Sequence, residues 1–394
     1  MLFDRMKIAL VHDWITGMRG GEKVLEVFCE LFPNAHLYTL LHNKGSASDT
    51  IENMDIRTSF IQHLPLAEKN YRYFLPLFPT AVERFDFRGY DVVLSSSHCV
   101  AKGVITGHGT LHVCYCFTPM RYIWDMYDQY FTEERSGATT RLAAYLVRNY
   151  LRKWDVASSK RVDRFVAISK YVAGRIRKYY DREPDIIFPP VDCSYFKPSS
   201  SSGDFYLMVS PLVPNKRVDI GINAFNKLGL PLKIIGSGQE ENRLRSIANR
   251  NIELMGWQPD ETVRDHYEAC KALIFPGIDD FGIVPLEAQA CGKPIIAYGY
   301  GGALETIIPI DNDKLKMKSK NGQSQKATGV FFYGHNPDAI AEAVSYFEDI
   351  RDIFDRHEIR KNAESFDRAI FKDKIMNYIE QKYSEFKKEA SLVN

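Results

Sequence analysis

The stretch Pro276–Gly292, which reads PGIDDFGIVPLEAQACG, constrains the fold of this chain more than any other. Short apolar runs typical of buried strands flank it at Lys271–Phe275 and Pro294–Tyr298. The pattern predicts a strand, a loop, a helix and a second strand, which is the repeating unit of a parallel sheet. The loop of such a unit lies at the carboxyl end of its strand, where open α/β sheets bind ligands.

Two carboxylates fall in this unit. Asp279 lies in the loop and Glu287 follows eight residues later on the predicted helix, so both side chains can face one crevice. The amino end of that helix would present the backbone N–H groups of Asp280, Phe281, Gly282 and Ile283. Such groups favour anions and phosphates. The alternative is an ordinary loop followed by a solvated helix, without a ligand.

The chain opens with a comparable unit. Met6–Val11 fits a short buried strand, Thr16–Gly21 a glycine-bearing loop and Glu22–Leu31 an apolar-periodic helix. Gly20 and Gly21 carry no Cβ, so the backbone there can approach a ligand closely. A plain tight turn explains the two glycines equally well.

Length and composition exclude several classes of protein. The 394 residues favour two or three domains, and 45% apolar with 26% charged residues is typical of a soluble globular protein. The formal net charge of +1 gives no overall attraction to nucleic acid, so we expect no such partner. Seven cysteines without a Cys-x-x-Cys pair predict reduced core residues of a cytosolic protein.

Any membrane contact should be peripheral. The start of the chain does not have the pattern of a signal peptide, and no apolar run reaches the roughly 18 residues of a membrane span. Leu64–Phe87 interleaves aromatic residues and prolines with basic residues, and Arg141–Arg164 is predicted as a basic amphipathic helix followed by a strand. Both compositions suit an anionic membrane surface. Each segment also fits a helix that buries its apolar side on the sheet, and both interpretations stay open.

We call residues 276–282, which contain Asp279 and Asp280, the acidic loop. This loop resembles the nucleotide-sugar loop of the retaining glycosyltransferases of family 4. The resemblance rests on an acidic residue and a glutamate separated by seven residues, a Phe-Gly-aliphatic-Pro turn and the following EAQACGKPIIA. HDW and GG near the start, CYCFTPMRY and LVPNKRVD extend it over nearly the whole chain, and the opening is similar to a bacterial mannosyltransferase-like branch. The implied α/β fold is GT-B, with two Rossmann-like domains whose parallel sheets face each other across a cleft.

The resemblance also implies a domain division. Pro189 and Pro190, followed by the serine run Ser199–Ser202, mark a break in the chain. Residues 1–190 would form the acceptor-binding domain and residues 191–369 the nucleotide-sugar-binding domain. A C-terminal helix over about 370–394 would join the first domain.

The family's donor-binding roles carry over to matching positions. Asp279 would contact the donor hexose and Glu287 the ribose hydroxyls, although the first position is more often glutamate in the family. Lys216 and Arg217 would bind the diphosphate, which suits a point charge and a forked guanidinium. Pro211 stands where many members have an arginine. Further donor contacts are predicted at Gly20, Gly21, Gly236, Trp257, Asp280, Phe281, Gly282 and Ile283.

One position departs from the branch near the expected sugar. Phe117 follows the Cys-Tyr-Cys run where a histidine is usual, and phenylalanine cannot donate a hydrogen bond. His98 and Arg121 are candidates for acceptor or sugar contacts instead. A histidine in such a place is also often a structural hydrogen-bonding residue.

The implied activity is transfer of a hexose, with retention, to a hydroxyl of a lipid-linked saccharide acceptor in surface polysaccharide, lipopolysaccharide or glycolipid synthesis. The expected donor is GDP-mannose, with no metal and no further cofactor, and the expected location is cytoplasmic, at the inner face of the cell membrane. Because Phe117 and Asp279 both depart from the family pattern, a UDP- or dTDP-sugar donor stays open. So do a catalytically silent scaffold that binds a sugar nucleotide and an epimerase of the same fold.

Overall fold

The structure, a computed structural model, describes residues 6–125, 138–201, 203–310 and 326–393. The chain divides into two compact units. Unit 1 comprises Met1–Phe188 and Phe371–Asn394, and unit 2 comprises Pro189–Ile370. Each unit has one parallel sheet whose strands are connected through helices, so the predicted α/β class with two Rossmann-like sheets is confirmed.

The sheet of unit 1 has the strand order β3-β2-β1-β4-β5-β6-β7. Its strands are β1 Ile8–His12, β2 His36–Thr39, β3 Asp55–Thr58, β4 Val92–Ser97, β5 Leu111–Cys116, β6 Arg164–Ala167 and β7 Asp185–Ile186. Strands β1 and β4 pair in parallel with His12 opposite Ser96, so their carboxyl ends lie side by side. The strand order reverses between them, and this switch point is where such sheets place ligands.

Helices connect these strands. They are α1 Gly20–Leu31, α2 Asp49–Glu52, α3 Ala67–Asn70, α4 Phe78–Glu83, α5 Arg121–Trp124, α6 Ala138–Ser159 and α7 Lys170–Tyr180. Helix α1 begins at Gly20, so the predicted start at Glu22 is wrong by two residues. The reason is a cap: the Glu22 side chain accepts a hydrogen bond of 3.2 Å from the Arg19 backbone N–H. Gly20 and Gly21 therefore form the first turn of the helix and not the end of a loop.

The sheet of unit 2 repeats the same topology in the order β10-β9-β8-β11-β12-β13. Its strands are β8 Tyr206–Val209, β9 Leu232–Ile235, β10 Ile252–Gly256, β11 Leu273–Phe275, β12 Ile295–Tyr298 and β13 Gly329–Phe332. Its helices are α8 Val218–Leu228, α9 Glu241–Ile247, α10 Asp260–Ala269, α11 Ile283–Ala290, α12 Ala303–Thr306, α13 Pro337–Ile350 and α14 Arg356–Glu364. Here β8 and β11 flank the switch point, with Leu207 opposite Leu273.

The strand–loop–helix–strand unit around the acidic loop is confirmed as β11, α11 and β12. Residues of β11 and β12 are buried because they lie in the middle of a sheet. Helix α11 is buried along most of its length, including Glu287 and Gln289. The loop between β11 and α11 is thereby fixed at both ends.

The last helix, α15, spans Arg368–Val393. Phe371, Ile375 and Ile379 are buried, and their spacing of four residues places them on one face. The Phe371 ring stacks on Phe28 of α1 at 5.8 Å between centroids. Most of the helix thus packs within unit 1.

The segment Leu64–Phe87 forms short helices and 3-10 turns whose apolar side packs in the core of unit 1. Phe78 is buried in the same cluster as Leu151 of α6. Tyr73 by contrast is 82% exposed. The core-packing interpretation therefore holds for one side of the segment, while the other side faces solvent.

All seven cysteines are buried and unpaired, as predicted for reduced core residues. Across the described ranges, none of the helices combines the length and apolar character needed to cross a bilayer.

Candidate active site

The switch point of unit 2 brings a base and an acid together. Lys216, in the loop after β8, forms an ion pair through Nζ with the carboxylate of Asp279, in the loop after β11. Their side chains are 20% and 17% exposed. Gly277 permits this approach, because a Cβ there would lie only 3.0 Å from the Cα of Lys216. The family resemblance implies that Lys216 binds the donor diphosphate and that Asp279 contacts the donor hexose. These two residues are thus direct neighbours.

Arg217 has an unusual backbone conformation beside this pair. Its φ of 51° lies in the left-handed region, which a side chain with Cβ rarely adopts. Its Nε donates to the Asp219 carboxylate at 3.2 Å, and its Nη1 lies 3.4 Å from Nδ1 of His335. The guanidinium is therefore held by two side chains.

His335 is a residue that the sequence analysis missed. It follows β13, and its Nε2 lies 3.1 Å from the carbonyl oxygen of Pro276 at the start of the acidic loop. Its ring stacks on Tyr298 at 4.6 Å with an interplanar angle of 7°. Burial, with a contribution from Arg217, lowers the pKa of His335 below its ordinary value. A single histidine in a loop has no periodicity or spacing that could have pointed to this role.

A glycine turn after β12 supports the acidic loop. The Gly302 N–H donates to the Asp279 carbonyl at 2.9 Å, and a Cβ on Gly302 would lie 2.2 Å from the Cα of Phe281. The Phe281 side chain is buried and its ring lies 5.8 Å from that of Phe366. Gly282 caps α11 with a φ of 100°, a conformation that favours glycine. The backbone of the predicted Asp280–Ile283 anion site is therefore held in place.

Glu287 lies on α11 with only 6% of its surface exposed. The hydroxyl of Tyr267 on α10 donates to its Oε2 at 3.0 Å. Burial raises the pKa of Tyr267 well above its ordinary value, so the phenol stays a donor. Tyr267 is a second missed residue, since its place in the sequence is that of an ordinary buried position on a helix.

The other predicted donor contacts of unit 2 follow neighbouring strands. Gly236, after β9, packs so closely on the loop after β8 that a Cβ would lie 1.9 Å from the carbonyl oxygen of Ser210. Trp257 follows β10 at the same edge of the sheet, but its side chain is 73% exposed and does not form part of a packed wall.

The switch point of unit 1 holds a different pair. Asp13, directly after β1, is fully buried, and its two carboxylate oxygens accept the backbone N–H groups of residues 98–101 at 2.6 to 2.9 Å. Nδ1 of His98 lies 3.1 Å from the same carboxylate. Burial alone would raise the pKa of Asp13, but His98 lowers it to about 2. Burial alone would lower the pKa of His98, but Asp13 raises it.

Two further residues singled out in the sequence, Gly21 and Phe117, lie beside this pair. A Cβ on Gly21 would lie 3.5 Å from the Phe117 ring and 3.7 Å from His12. The Phe117 ring lies 6.5 Å from His98 between centroids. His12 bonds through Nδ1 to the Ser96 hydroxyl at 2.7 Å, and burial lowers its pKa to about 4. The structure thus groups Gly21, His98 and Phe117 at one edge of the sheet.

Arg121 begins α5, which follows β5, and is half-buried. Arg175 contacts both ends of α5. It donates to the Thr118 hydroxyl and, at 3.3 Å, to the Pro119 carbonyl before the helix, and it pairs with the Asp125 carboxylate after it. Arg175 is a third residue that the sequence analysis missed. Gly20, Gly21, His98 and Arg121 belong to unit 1, and the other predicted contacts belong to unit 2.

Two family models match the chain in succession. The one described as Glycosyltransferase Family 4 matches residues 18–195, and the one described as glycosyl transferases group 1 matches residues 196–366. Together they cover the switch point of unit 2 and, in unit 1, the residues after β4, while β1 and Asp13 precede the first match.

Curated relatives are similar at low identity. An uncharacterised glycosyltransferase of Methanocaldococcus jannaschii is 29% identical over 43% of this chain and 49% of that protein. A GDP-mannose-dependent monoacylated alpha-(1-6)-phosphatidylinositol monomannoside mannosyltransferase of Corynebacterium glutamicum is 27% identical over 46% and 51%. The alpha-1,3/1,6-mannosyltransferase of Saccharomyces cerevisiae is 22% identical over 77% and 71%. The chain spans about half the length of the first two.

Solved structures share the fold over nearly the whole chain. Sucrose-phosphate synthase from Thermosynechococcus elongatus has a TM-score of 0.68 at 16% identity and covers 97% of this chain and 100% of its own. HepE from Anabaena, solved in complex with UDP, has a TM-score of 0.67 at 15% identity and covers 95% and 100%. At such identities the likeness shows the fold alone.

Proposed function

The chain belongs to the family 4 glycosyltransferases and has the GT-B fold, and we propose that it transfers a hexose from a nucleoside diphosphate sugar to a hydroxyl group of an acceptor. The observation that carries the proposal is the unit 2 switch point. There Lys216 pairs with Asp279 of the acidic loop, and Arg217 is connected through His335 to Pro276 at the start of that loop. The loop leads into the amino end of α11. Cations and a helix amino end together suit a diphosphate.

The donor that we propose is GDP-mannose. The relatives in Corynebacterium glutamicum and Saccharomyces cerevisiae are mannosyltransferases by name, and the first is named for GDP-mannose. The HepE structure contains UDP, which keeps a UDP-sugar as the alternative donor, and a dTDP-sugar is a further one.

The ion pair between Lys216 and Asp279 suggests how the donor enters. Before binding, each side chain neutralises the other. A diphosphate would replace the carboxylate as the partner of Lys216, and Asp279 would then be released to accept hydrogen bonds from hexose hydroxyls. A partly exposed pair contributes only about 1 kcal/mol, so this exchange is within the reach of a bound phosphate.

The reaction that we propose retains the anomeric configuration. The acceptor oxygen bonds to the anomeric carbon, the bond from that carbon to the diphosphate oxygen breaks, and the acceptor proton passes to the departing phosphate oxygen on the same face. Lys216, Arg217 and the N–H groups of α11 would stabilise the charge that develops on the diphosphate. No metal is required by this scheme, because these groups supply the positive charge.

Unit 1 would bind the acceptor, which we propose to be a lipid-linked saccharide reached at the inner face of the cell membrane. On helix α6, the side chains of Tyr145 and Leu146 are 55% and 59% exposed. Basic residues follow them on the same helix. A shallow, open depression beside this helix is lined by Trp124 of α5 and by five residues of α6, Arg152, Lys153, Val156, Ala157 and Lys160. Exposed aromatic and basic side chains together favour an anionic surface.

Product analysis distinguishes the proposed transferase from an epimerase and from a silent scaffold. We expect GDP-mannose to be consumed only when a saccharide acceptor is present, with a new glycosidic bond and retained configuration by NMR. Conversion of the donor without acceptor to another sugar nucleotide would identify an epimerase. Tight nucleotide binding without consumption of the donor, whichever acceptor is added, would identify a silent scaffold. The epimerase result and the scaffold result would each contradict the proposal.

Vesicle sedimentation tests the membrane part separately. We expect binding to vesicles with phosphatidylglycerol and not to pure phosphatidylcholine, and a loss of about tenfold on replacing Tyr145 and Leu146 by serine. Ile105→Ser is the matched control, since Ile105 is a 49% exposed apolar side chain of unit 1 that lies in a loop outside α6. Equal loss in the control, or no vesicle binding, would contradict membrane contact through α6.

A further inference from the structure

The contacts of His335 determine which of its nitrogens carries the hydrogen. Nε2 lies 3.1 Å from the Pro276 carbonyl oxygen, which can only accept, so the hydrogen is on Nε2. In the neutral ring Nδ1 is then an acceptor, and the Arg217 guanidinium donates to it at 3.4 Å. Stacking on Tyr298 fixes the plane of the ring. The histidine therefore connects the start of the acidic loop with the basic pair.

Arg217 depends on such support. Its left-handed backbone is strained for a residue with a side chain, and its Nε is occupied by Asp219 at 3.2 Å. A guanidinium has five N–H donors in a planar fork. Asp219 and His335 use part of the fork to set its orientation, and the rest can bind a phosphate.

We propose that His335 is a positioning residue for Arg217 and that it makes nucleotide binding sensitive to acid. The proposal rests on the proposed function, because it assumes that Arg217 binds the diphosphate of the donor. His335 is not a catalytic residue, since its two nitrogens face Arg217 and a backbone carbonyl and not the predicted place of the substrate.

Protonation would reverse the contact. A proton on Nδ1 turns the acceptor into a donor that faces the guanidinium, and it adds a positive charge beside Arg217. The charged and titratable groups that face the ring are Arg217, Asp219 and the phenol of Tyr298. Because burial lowers the pKa of His335, the contact is intact at neutral pH. It is lost as pH falls through this lowered pKa, which lies below the ordinary histidine value of about 6.5.

Calorimetric titration of the full chain with GDP and with UDP at pH 7.5, 6.5 and 5.5 tests the proposal. His335→Gln keeps an acceptor that cannot titrate, and His357→Gln is the matched control, since His357 is an exposed histidine of the same unit. Protonation of the nucleotide itself weakens binding in all three proteins. The quantity of interest is therefore the ratio of the dissociation constant of the wild type to that of His335→Gln at each pH. We expect the wild type to lose about fivefold more affinity than His335→Gln between pH 7.5 and 5.5, and the control to follow the wild type.

A second variant, His335→Ala, tests the proposal if the glutamine side chain of His335→Gln does not fit the space of the imidazole ring. His335→Ala removes both hydrogen bonds, and we expect about tenfold weaker nucleotide binding at pH 7.5 with thermal unfolding of the protein otherwise cooperative. A constant ratio across pH, or a wild type that binds more tightly in acid than His335→Gln, would overturn the inference and leave the proposed function intact. If neither GDP nor UDP binds to the wild type at pH 7.5, both the inference about His335 and the proposed function are overturned.

Discussion

The two switch points have the same topology and opposite environments. Each places a carboxylate and a base on neighbouring loops: Asp13 with His98 in unit 1, and Asp279 with Lys216 in unit 2. The Asp13 side chain is 0% exposed, whereas that of Asp279 is 17% exposed. The switch point thus holds a fully buried carboxylate in unit 1 and a partly exposed carboxylate in unit 2.

The hydrogen bonds explain the difference. Asp13 accepts four backbone N–H groups and is held by the chain itself, so removing its charge would leave buried donors without a partner. Asp279 pairs with Lys216 in a partly solvated place, so under the proposed function a diphosphate can replace the carboxylate as the partner of Lys216. The first carboxylate therefore maintains the structure, and the second is suited to ligand exchange.

The largest expected effect is at Glu287. Glu287→Ala should reduce donor affinity and turnover by a factor on the order of a hundred or more, because it removes a positioned charged contact. Glu342→Ala, an exposed glutamate of the same unit, should leave both unchanged. Steady-state kinetics and calorimetry measure the effect, and an unchanged rate for Glu287→Ala would remove this residue from the site.

Asp13→Asn should destabilise unit 1 by about 3 kcal/mol, because an amide cannot accept all four N–H groups. Hydrogen exchange of the amides of residues 98–101 is the local measurement, and loss of their protection is the expected result. Since the pKa of Asp13 is lowered to about 2, its contribution is complete above its ordinary pKa near 4 and is lost as pH falls towards 2. If the protection of these amides is unchanged in Asp13→Asn, the Asp13 carboxylate does not have the structural role described here.

Asp279→Asn is the same chemical change at the other switch point. We expect turnover to fall about tenfold, while the unfolding free energy changes by less than about 1 kcal/mol because the lost pair is partly exposed. Affinity for GDP without a sugar should stay the same or rise up to about threefold, since Lys216 is released. A stability loss as large as that of Asp13→Asn would remove the difference between the two carboxylates.

The smallest expected effect concerns the charge of His98. Because Asp13 raises the pKa of His98, the charged form stabilises the fold below the ordinary histidine pKa, and this contribution is lost as pH rises through the raised value. We expect less than about 1 kcal/mol, since the side chain is 31% exposed. His98→Gln should flatten the decline in stability between pH 6 and 9, and His108→Gln, an exposed histidine of the same unit, should not.

The fold was predictable where local pattern and tertiary structure agree. The apolar runs that became β1, β8, β11 and β12 are short and buried. Loops with glycine or proline follow them, so each run identified a strand and the edge where its loop would lie. The start of α1 was misplaced because the cap by Glu22 depends on a side-chain contact that periodicity does not report.

The site was predictable only in part. Lys216 and Asp279 were found separately through motifs, and their contact follows from the pairing of β8 with β11. His335, Tyr267 and Arg175 contact residues that lie 118, 20 and 57 positions away in the chain, on other elements. Such partners become visible only when the sheet order is known. The roles assigned to the donor contacts stay predictions.

Binding of GDP-mannose to the wild type and to Lys216→Met by calorimetry tests the central proposal, that the unit 2 switch point binds the donor diphosphate. Lys227→Met is the matched control, because Lys227 also pairs with an aspartate, Asp338, but on the exposed surface of unit 2. We expect Lys216→Met to weaken binding by about thirtyfold and Lys227→Met to leave it unchanged. Equal affinity in all three proteins would contradict the proposal.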